Sequence, residues 1–295
     1  MIDGVERGWH LPAPSGETPT SWVIFQGSGY RVGAIRVPAR HPRWNRVNDI
    51  PGLPVLWFPR TPVRIVPTGG GGGTVEAGCA IFLDSDERYE RACLAEEGDR
   101  SDWFAFDEEL LSRLAPALET TRVKSRRSVR IEVSAGAYAL QRRAFRHALV
   151  APDPNGLLLE EALCGVLEDL RKARTRSDDA PCKSGSRLAH ALRDLVSARF
   201  RERLRLTDLA DELGVTAPHL CRVFRRETGG TIHDYQEKLR LAAALDALEE
   251  SASDLTGLAL DLGYSSHAHF TANFTRSLGR APSRMRTAMH AGLLS

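Results

Sequence analysis

The chain of 295 residues is short of cysteine, of net charge and of long apolar runs, and each shortage removes a class of protein. Its five cysteines (Cys79, Cys93, Cys164, Cys182 and Cys221) are odd in number, scattered and without a C-x-x-C pair. That argues against a disulfide framework or a zinc ribbon and suits a reducing compartment. Most are expected to be small buried hydrophobes. No apolar run approaches the about 18 residues a membrane span needs, so no membrane partner is expected. The first residues, with Asp3 and Glu6 and no apolar core, do not read as a signal peptide, which makes the expected location cytoplasmic. Lys and Arg number 40 against 38 Asp and Glu, and the chain is 42% hydrophobic and 26% charged. Neither wholesale disorder nor a histone-like polycation fits those values.

Catalytic constellations are missing as well. In the N-terminal half His10, His41 and His147 are isolated, where a metal-dependent barrel enzyme needs an H-x-H cluster with a nearby carboxylate. Gly27-Ser28-Gly29-x-x-x-Gly33 misses the dinucleotide-binding spacing and reads as a turn between strands. The five-glycine run at 69–73 lacks the Lys-Ser or Lys-Thr of a phosphate-binding loop, and no G-x-S-x-G nucleophile elbow occurs. No catalytic residue, metal or cofactor is therefore assigned.

What is present is organisation. At about 150 residues per domain the length suggests two domains. Charge is sorted along the chain: residues 68–120 carry 4 basic and 13 acidic side chains, residues 121–147 carry 8 basic and 1 acidic. From Ser21 to about Val133 apolar residues come in short clusters broken by Gly and Pro, such as Val23-Ile24-Phe25 and Pro54-Val55-Leu56-Trp57-Phe58, which predicts an antiparallel β-sandwich or barrel. Asp102-Trp103-Phe104-Ala105-Phe106, apolar on both faces, reads as a wall between two layers. After Ser134 the spacing changes to three and four. Leu159, Ala162, Leu163, Val166, Leu167 and Leu170 make one helical stripe, and a polar break at 174–186 is the best boundary.

The second half repeats itself at an offset of about 50 residues. Ala210-x-x-Leu213-Gly214 recurs as Ala259-x-x-Leu262-Gly263, and Leu220-x-x-x-Phe224-x-x-x-x-Gly229 recurs as Phe270-x-x-x-Phe274-x-x-x-x-Gly279. Each copy reads as a short helix, a glycine turn, a hydroxyl N-cap (Thr216; Ser265 or Ser266) and a second helix with one buried side, which is a helix-turn-helix. Between them Thr231-x-x-Asp234 opens, in capping-box fashion, a helix over 232–250 with Tyr235, Leu239, Ala242, Ala243, Leu245 and Leu248 as its apolar stripe. At 1.5 Å per residue that rod is roughly 28 Å long, enough to offer two recognition helices to successive major grooves of one duplex. By spacing alone Leu220, Phe224, Phe270 and Phe274 are core, and Glu227 awaits a basic partner.

The residues Leu209-Ala210-Asp211-Glu212-Leu213-Gly214, the run from His219 to Gly229, Asp261-Leu262-Gly263-Tyr264-Ser265-Ser266, His269-Phe270, Phe274 and Gly279-Arg280-Ala281-Pro282-Ser283 fall in that order. On them the stretch 209–285 resembles the DNA-binding domain of the AraC/XylS family of bacterial transcription regulators. The resemblance implies base contacts from Ala217, Pro218, Cys221 and Arg222 in the first recognition helix and from His267, Ala268, Thr271 and Ala272 in the second. Arg222 can bond guanine bidentately, a reading favoured over a solvated or phosphate-contacting arginine. Ala272 stands where the family often carries Arg, so base readout by the second unit rests on His267 and Thr271. Arg225, Arg226, Arg276, Arg280 and Arg284 would contact phosphates.

The resemblance also implies a cupin-like β-barrel in the first half, binding a small effector of unknown identity and dimerising through the helices that follow it. Trp22, Trp44, Trp57 and Trp103 either line that pocket or fill the core, core being the default. Some proteins with such a DNA-binding domain transfer alkyl groups to a reactive cysteine. Here Cys79 and Cys93 lie among acidic residues that raise a thiol pKa, and Cys182 beside Lys183 is the one candidate, less favoured than an exposed cysteine with no role. The basic stretch 122–130 reads, in order of preference, as a solvated strand edge, a partner for the acidic segment, or a second contact to DNA or RNA polymerase. The expectation is a multidomain α+β protein. Residues 1–174 form the β-rich effector and dimerisation domain, 175–186 the linker and 187–295 the double helix-turn-helix domain. It would act as a homodimer on double-stranded DNA and as an activator, the commoner sign in the family. The competing reading is a regulator without effector, governed by abundance or a protein partner, whose first domain only oligomerises.

Overall fold

The computed structural model describes residues 20–50, 52–68, 73–85, 87–114, 129–150, 160–161, 163–168, 185–250 and 253–290. The linker at 175–184, the glycines at 69–72, the basic residues at 122–128, Cys182 and the stripe positions Leu159, Ala162 and Leu170 lie outside them. Strands β1 (Ser21–Gln26), β2 (Tyr30–Val37), β3 (Val47–Asp49), β4 (Val55–Pro59), β5 (Val63–Pro67), β6 (Gly73–Val75), β7 (Cys79–Leu83), β8 (Arg88–Cys93) and β9 (Asp99–Phe106) precede helix α1 (Glu108–Leu114), and β10 (Val129–Glu132) closes the series. They form two antiparallel sheets. The larger runs β1-β2-β9-β4-β7-β10 and the smaller β3-β8-β5-β6. Residues 27–29 are the turn between β1 and β2, as their spacing predicts, with the Gly27 N–H donating to the Tyr30 carbonyl at 3.0 Å.

The larger sheet is buried on both faces because its central strands alternate two apolar sets. Trp57, Ile81 and Leu83 join Val63, Ile65 and Tyr89 in the core between the sheets. Leu56, Phe58, Phe82, Phe104 and Phe106 form the opposite layer, under helix α2 (Ala135–Val150). Leu163, Val166 and Leu167, the described part of the predicted stripe, are buried in that same layer.

The second half is helical: α3 (Gly185–Arg199), α4 (Leu206–Glu212), α5 (Ala217–Thr228), α6 (Ile232–Glu249), α7 (Leu255–Asp261), α8 (His267–Leu278) and α9 (Pro282–His290). Thr231 and Asp234 make the reciprocal capping box that starts α6. Helix α6 is not the one-stripe rod its spacing suggests. Leu241 and Ala244 are buried beside Ala242, Leu245 and Leu248, whereas Ala243 is only partly so. The reason is a second neighbour: α2 packs against both α6 and α8, so one apolar cluster runs from the larger sheet into the helical half. The cysteines also depart from expectation, for Cys79 is buried but Cys93 is partly exposed and Cys164 and Cys221 are exposed. Burial, with the nearby Asp99 and Glu97 carboxylates, pushes the Cys93 thiol pKa up, against backbone hydrogen bonding at Ala95. Among the described residues no helix is long and apolar enough to cross a membrane.

Candidate nucleic-acid interface

The two repeats fold alike. In the first, α4 ends at Gly214 (φ +66°) and α5 at Gly229 (φ +74°); in the second, α7 ends at Gly263 (φ +80°) and α8 at Gly279 (φ +72°). Thr216 is the extended N-cap of α5 but makes no side-chain cap bond, so that helix starts on Pro218 in its first turn, where a missing N–H costs nothing. Ser266, rather than Ser265, caps α8 by accepting from the His269 N–H at 3.1 Å. Leu220, Phe224, Phe270 and Phe274 are at most 1% exposed and anchor the inner sides as predicted. The inner side of α5 packs with Leu192, Val196, Leu209 and Leu239, which places the first unit against α3 and α6.

The outer faces carry the residues singled out for base contact. Pro218, Cys221 and Arg222 are exposed on α5 and Ala217 is half-buried beside them; His267, Ala268 and Ala272 are exposed on α8, with Thr271 half-buried. Spacings of three and four put each set on one side of its helix. Arg222 folds back, its Nε donating to the Pro218 carbonyl at 3.4 Å, and Thr271 lies 3.4 Å from His267. Arg225 and Arg284 are exposed, Arg226 pairs with Glu227 at 3.0 Å, which supplies the glutamate's partner, and Arg280 is half-buried near Arg143 of α2. Burial, then the like charge of Arg280, lowers the Arg143 pKa. Asn273 is a buried polar residue of α8 that spacing missed. It is 7% exposed, lies 3.0 Å from His269 and accepts from Arg276. An asparagine inside an apolar stripe was its only signal.

Behind these helices, a buried ion cluster joins the two halves. Arg142 of α2 has no exposed side-chain surface and pairs with Asp102 of β9 and Glu249 of α6, while its Nε lies 3.4 Å from Asp246. Arg60, after β4, lies 3.1 Å from Asp246 and 3.6 Å from Glu249. Arg100 pairs with Glu250, and the Tyr235 hydroxyl donates to Glu76. Burial alone would raise the Glu249 pKa, but Arg142 and Arg60 outweigh it and hold the carboxyl below its ordinary range. For Asp246 burial wins over the same two cations, and its pKa is raised.

The β half holds a cleft of about 680 Å³, its open mouth included, bordered by residues of both sheets. Trp57 and Trp103 line it, together with Ile35, Val55, Arg31, Arg43 and Arg91. Trp44 is not among the lining residues; it packs against the core between the sheets, its ring 5.9 Å from the Arg91 guanidinium. Trp57 and Trp103 are at once core and lining, so for these two the alternatives merge, whereas the Trp22 side chain lies outside the described residues.

A family model described as a helix-turn-helix domain matches residues 209–288. The HTH-type transcriptional activator RhaR of Escherichia coli K12 is 28% identical over 117 residues, 40% of this chain and 42% of the relative. The chain thus spans about two-fifths of the length of the curated relatives it matches. Among solved structures, fatty-acid-bound ToxT of Vibrio cholerae is 12% identical over 88% of this chain and 96% of that one, with a TM-score of 0.38. The C-terminal domain of the response regulator AraT of Geobacillus stearothermophilus is 22% identical over 36% and 88%, with a TM-score of 0.34. At such scores the likeness is loose, and the assignment rests on the sequence match and the repeated units. Over residues 209–288 the chain thus matches the helix-turn-helix domain family, and its two repeated units are similar to the AraC-type double helix-turn-helix.

Proposed function

We propose that the protein is a transcription regulator that binds duplex DNA sequence-specifically through α5 and α8, in successive major grooves, and answers to a small effector in the cleft of its β half. The observation that carries it is the duplication: two units with the same left-handed glycine ends, the same buried aromatic or aliphatic anchors and the same outward face. Base edges are met by Ala217, Pro218, Cys221 and Arg222 and by His267, Ala268, Thr271 and Ala272, phosphates by Arg225, Arg226, Arg276, Arg280 and Arg284. Division into domains at 175–186, homodimer assembly, contact with RNA polymerase and activation complete the reading. The sign follows the relatives' description as activators. A duplex-DNA target sets the working compartment as the bacterial cytoplasm.

The cleft supports effector control over a purely oligomeric role, which expects a filled barrel. Its wall and the domain contact share a strand: in β9, Trp103 lines the cleft and its neighbour Asp102, on the other face, holds Arg142. An effector with different affinity for two packings of that sheet would shift how the DNA-binding half is held. Selection of bound sequences from a random duplex library by the full-length protein tests the reading, and two half-elements one helical turn apart are expected. Arg222→Ala relaxes preference at one base position, while Arg226→Ala weakens all sequences alike and flattens the salt dependence. Equal losses for Arg222→Ala on selected and random duplexes refute the base-contact assignment.

A further inference from the structure

The cleft has a one-sided hydrogen-bonding lining. Its hydroxyls already accept: Thr20 from Arg43 at 2.9 Å, Ser21 from the Trp103 indole at 3.1 Å and Tyr89 from Arg91 at 3.3 Å. Its one carboxylate, Asp49, is 72% exposed and turned to Arg88 at 3.4 Å. The groups left over are donors. The Trp57 indole N–H and the Arg91 Nε–H are buried without an acceptor among the described residues, and half-buried Arg31 likewise has none there. Arg91 is a fixed wall, since Asp99 matches its charge at 3.1 Å and Trp57 lies under its guanidinium at 4.5 Å. Arg31 is the cation whose charge nothing in the lining matches.

A ligand that fits must bring acceptors and a negative charge on an apolar body. A neutral polyol would leave the Arg31 charge unmatched and press its hydroxyls on Ile35, Leu53, Val55 and two indoles, at a desolvation cost. We propose that the cleft binds an organic monocarboxylate, its head on Arg31 and Arg43 and a ring-sized apolar body against Trp57 and Trp103. This rests on the effector reading and names the chemistry of that effector. A guanidinium bonds a carboxylate in a bidentate fork, and the indoles supply the broad apolar faces that pockets use.

The test uses the full-length protein with phenylacetate, cyclohexanecarboxylate and octanoate as acids, phenylethanol as the uncharged match to the first, and glucose as the polyol. Tryptophan fluorescence and calorimetry read binding. At least one acid is expected to saturate, and phenylacetate to bind about tenfold or more tighter than phenylethanol, as a hydrogen-bonded charge implies. Arg31→Gln is expected to erase that ratio while leaving phenylethanol binding and the melting temperature unchanged. Saturation by glucose alone, by none of the acids, or equally by acid and alcohol overturns the proposal, as does an acid affinity that Arg31→Gln does not alter. The duplex selection, run with and without the acid, separates the two readings: a protein that enriches a motif but binds no acid refutes only this one, and a protein that binds the acid but enriches nothing refutes the regulator.

Discussion

Gly214 and Gly263 occupy equivalent places in the repeat and end their helices in the same way, with the residues after them, Val215 and Tyr264, donating to the Ala210 and Ala259 carbonyls at 3.0 Å. Their surroundings differ. A Cβ on Gly214 would meet open space, whereas on Gly263 it would sit 2.0 Å from the Arg201 carbonyl oxygen. That carbonyl cannot easily give way, because Arg240 and Gln236 of α6 hold the neighbouring Phe200 and Glu202 carbonyls at 2.8 and 2.9 Å. Gly214→Ala therefore costs only the left-handed backbone, about 1–2 kcal/mol. Gly263→Ala carries that cost plus displacement of the chain after α3. Urea unfolding of the two variants is expected to place Gly263→Ala clearly below Gly214→Ala; equal midpoints would mean that the contact at Arg201 relaxes freely. The repeat shows both residues as the same letter, and only the approach of a distant segment tells them apart.

At the scale of elements, local signals were legible and long-range ones were not. Caps, turns and the inner anchors of α5 and α8 depend on residues within four positions of one another, so the repeat exposed them. The β half announced two layers through its short apolar clusters, yet the order β1-β2-β9-β4-β7-β10 pairs strands far apart in the chain and leaves no local trace. Leu241 and Ala244 of α6 fall outside the predicted stripe yet are buried, because the cluster that takes them in includes α2, about a hundred residues earlier. The cap of α6 offers a check on a signal that was legible. Thr231 accepts from the Asp234 N–H at 3.0 Å, and its own N–H donates to the Asp234 carboxylate at 3.3 Å. Bonds to Thr231 hold the Asp234 pKa below its ordinary value. A lowered folded pKa means stability that is present above the unfolded pKa and lost as pH falls through the folded one. Thr231→Ala should cost about 1 kcal/mol at neutral pH, and the gap from the parent should narrow on acidification below the ordinary carboxylate range, by the part that the hydroxyl bond to the Asp234 carboxylate carries. A gap independent of pH would remove Asp234 from the cap's energetics.

Across the whole molecule, the halves are joined by charge as well as by apolar contact. Arg60, Asp102, Arg142, Asp246 and Glu249 come from both sheet and helices, and each alone reads as an ordinary surface charge. Their assembly is a tertiary fact: Arg142 is fully buried only because β9 and α6 approach it from opposite sides. Such a cluster contributes little over a well-packed apolar substitute, but removing one member strands the others, at about 3–5 kcal/mol. Arg142→Met keeps the volume and leaves Asp102 and Glu249 without their shared cation. In the parent, the lowered Glu249 pKa makes that group's contribution present at neutral pH and lost as pH falls through its folded value. In the variant the same carboxyl, buried and now short of a partner, has its pKa raised, so its penalty is present at neutral pH and relieved by protonation. The parent weakens on acidification while the variant is relieved, so the stability gap should be largest near neutrality and narrow by about pH 5. Urea unfolding of both full-length proteins at the two pH values measures it. A gap that stays constant would assign the loss to packing around α2, and would mean that the Asp102 contact opposite Trp103 transmits no charge-dependent signal from the cleft to the DNA-binding half.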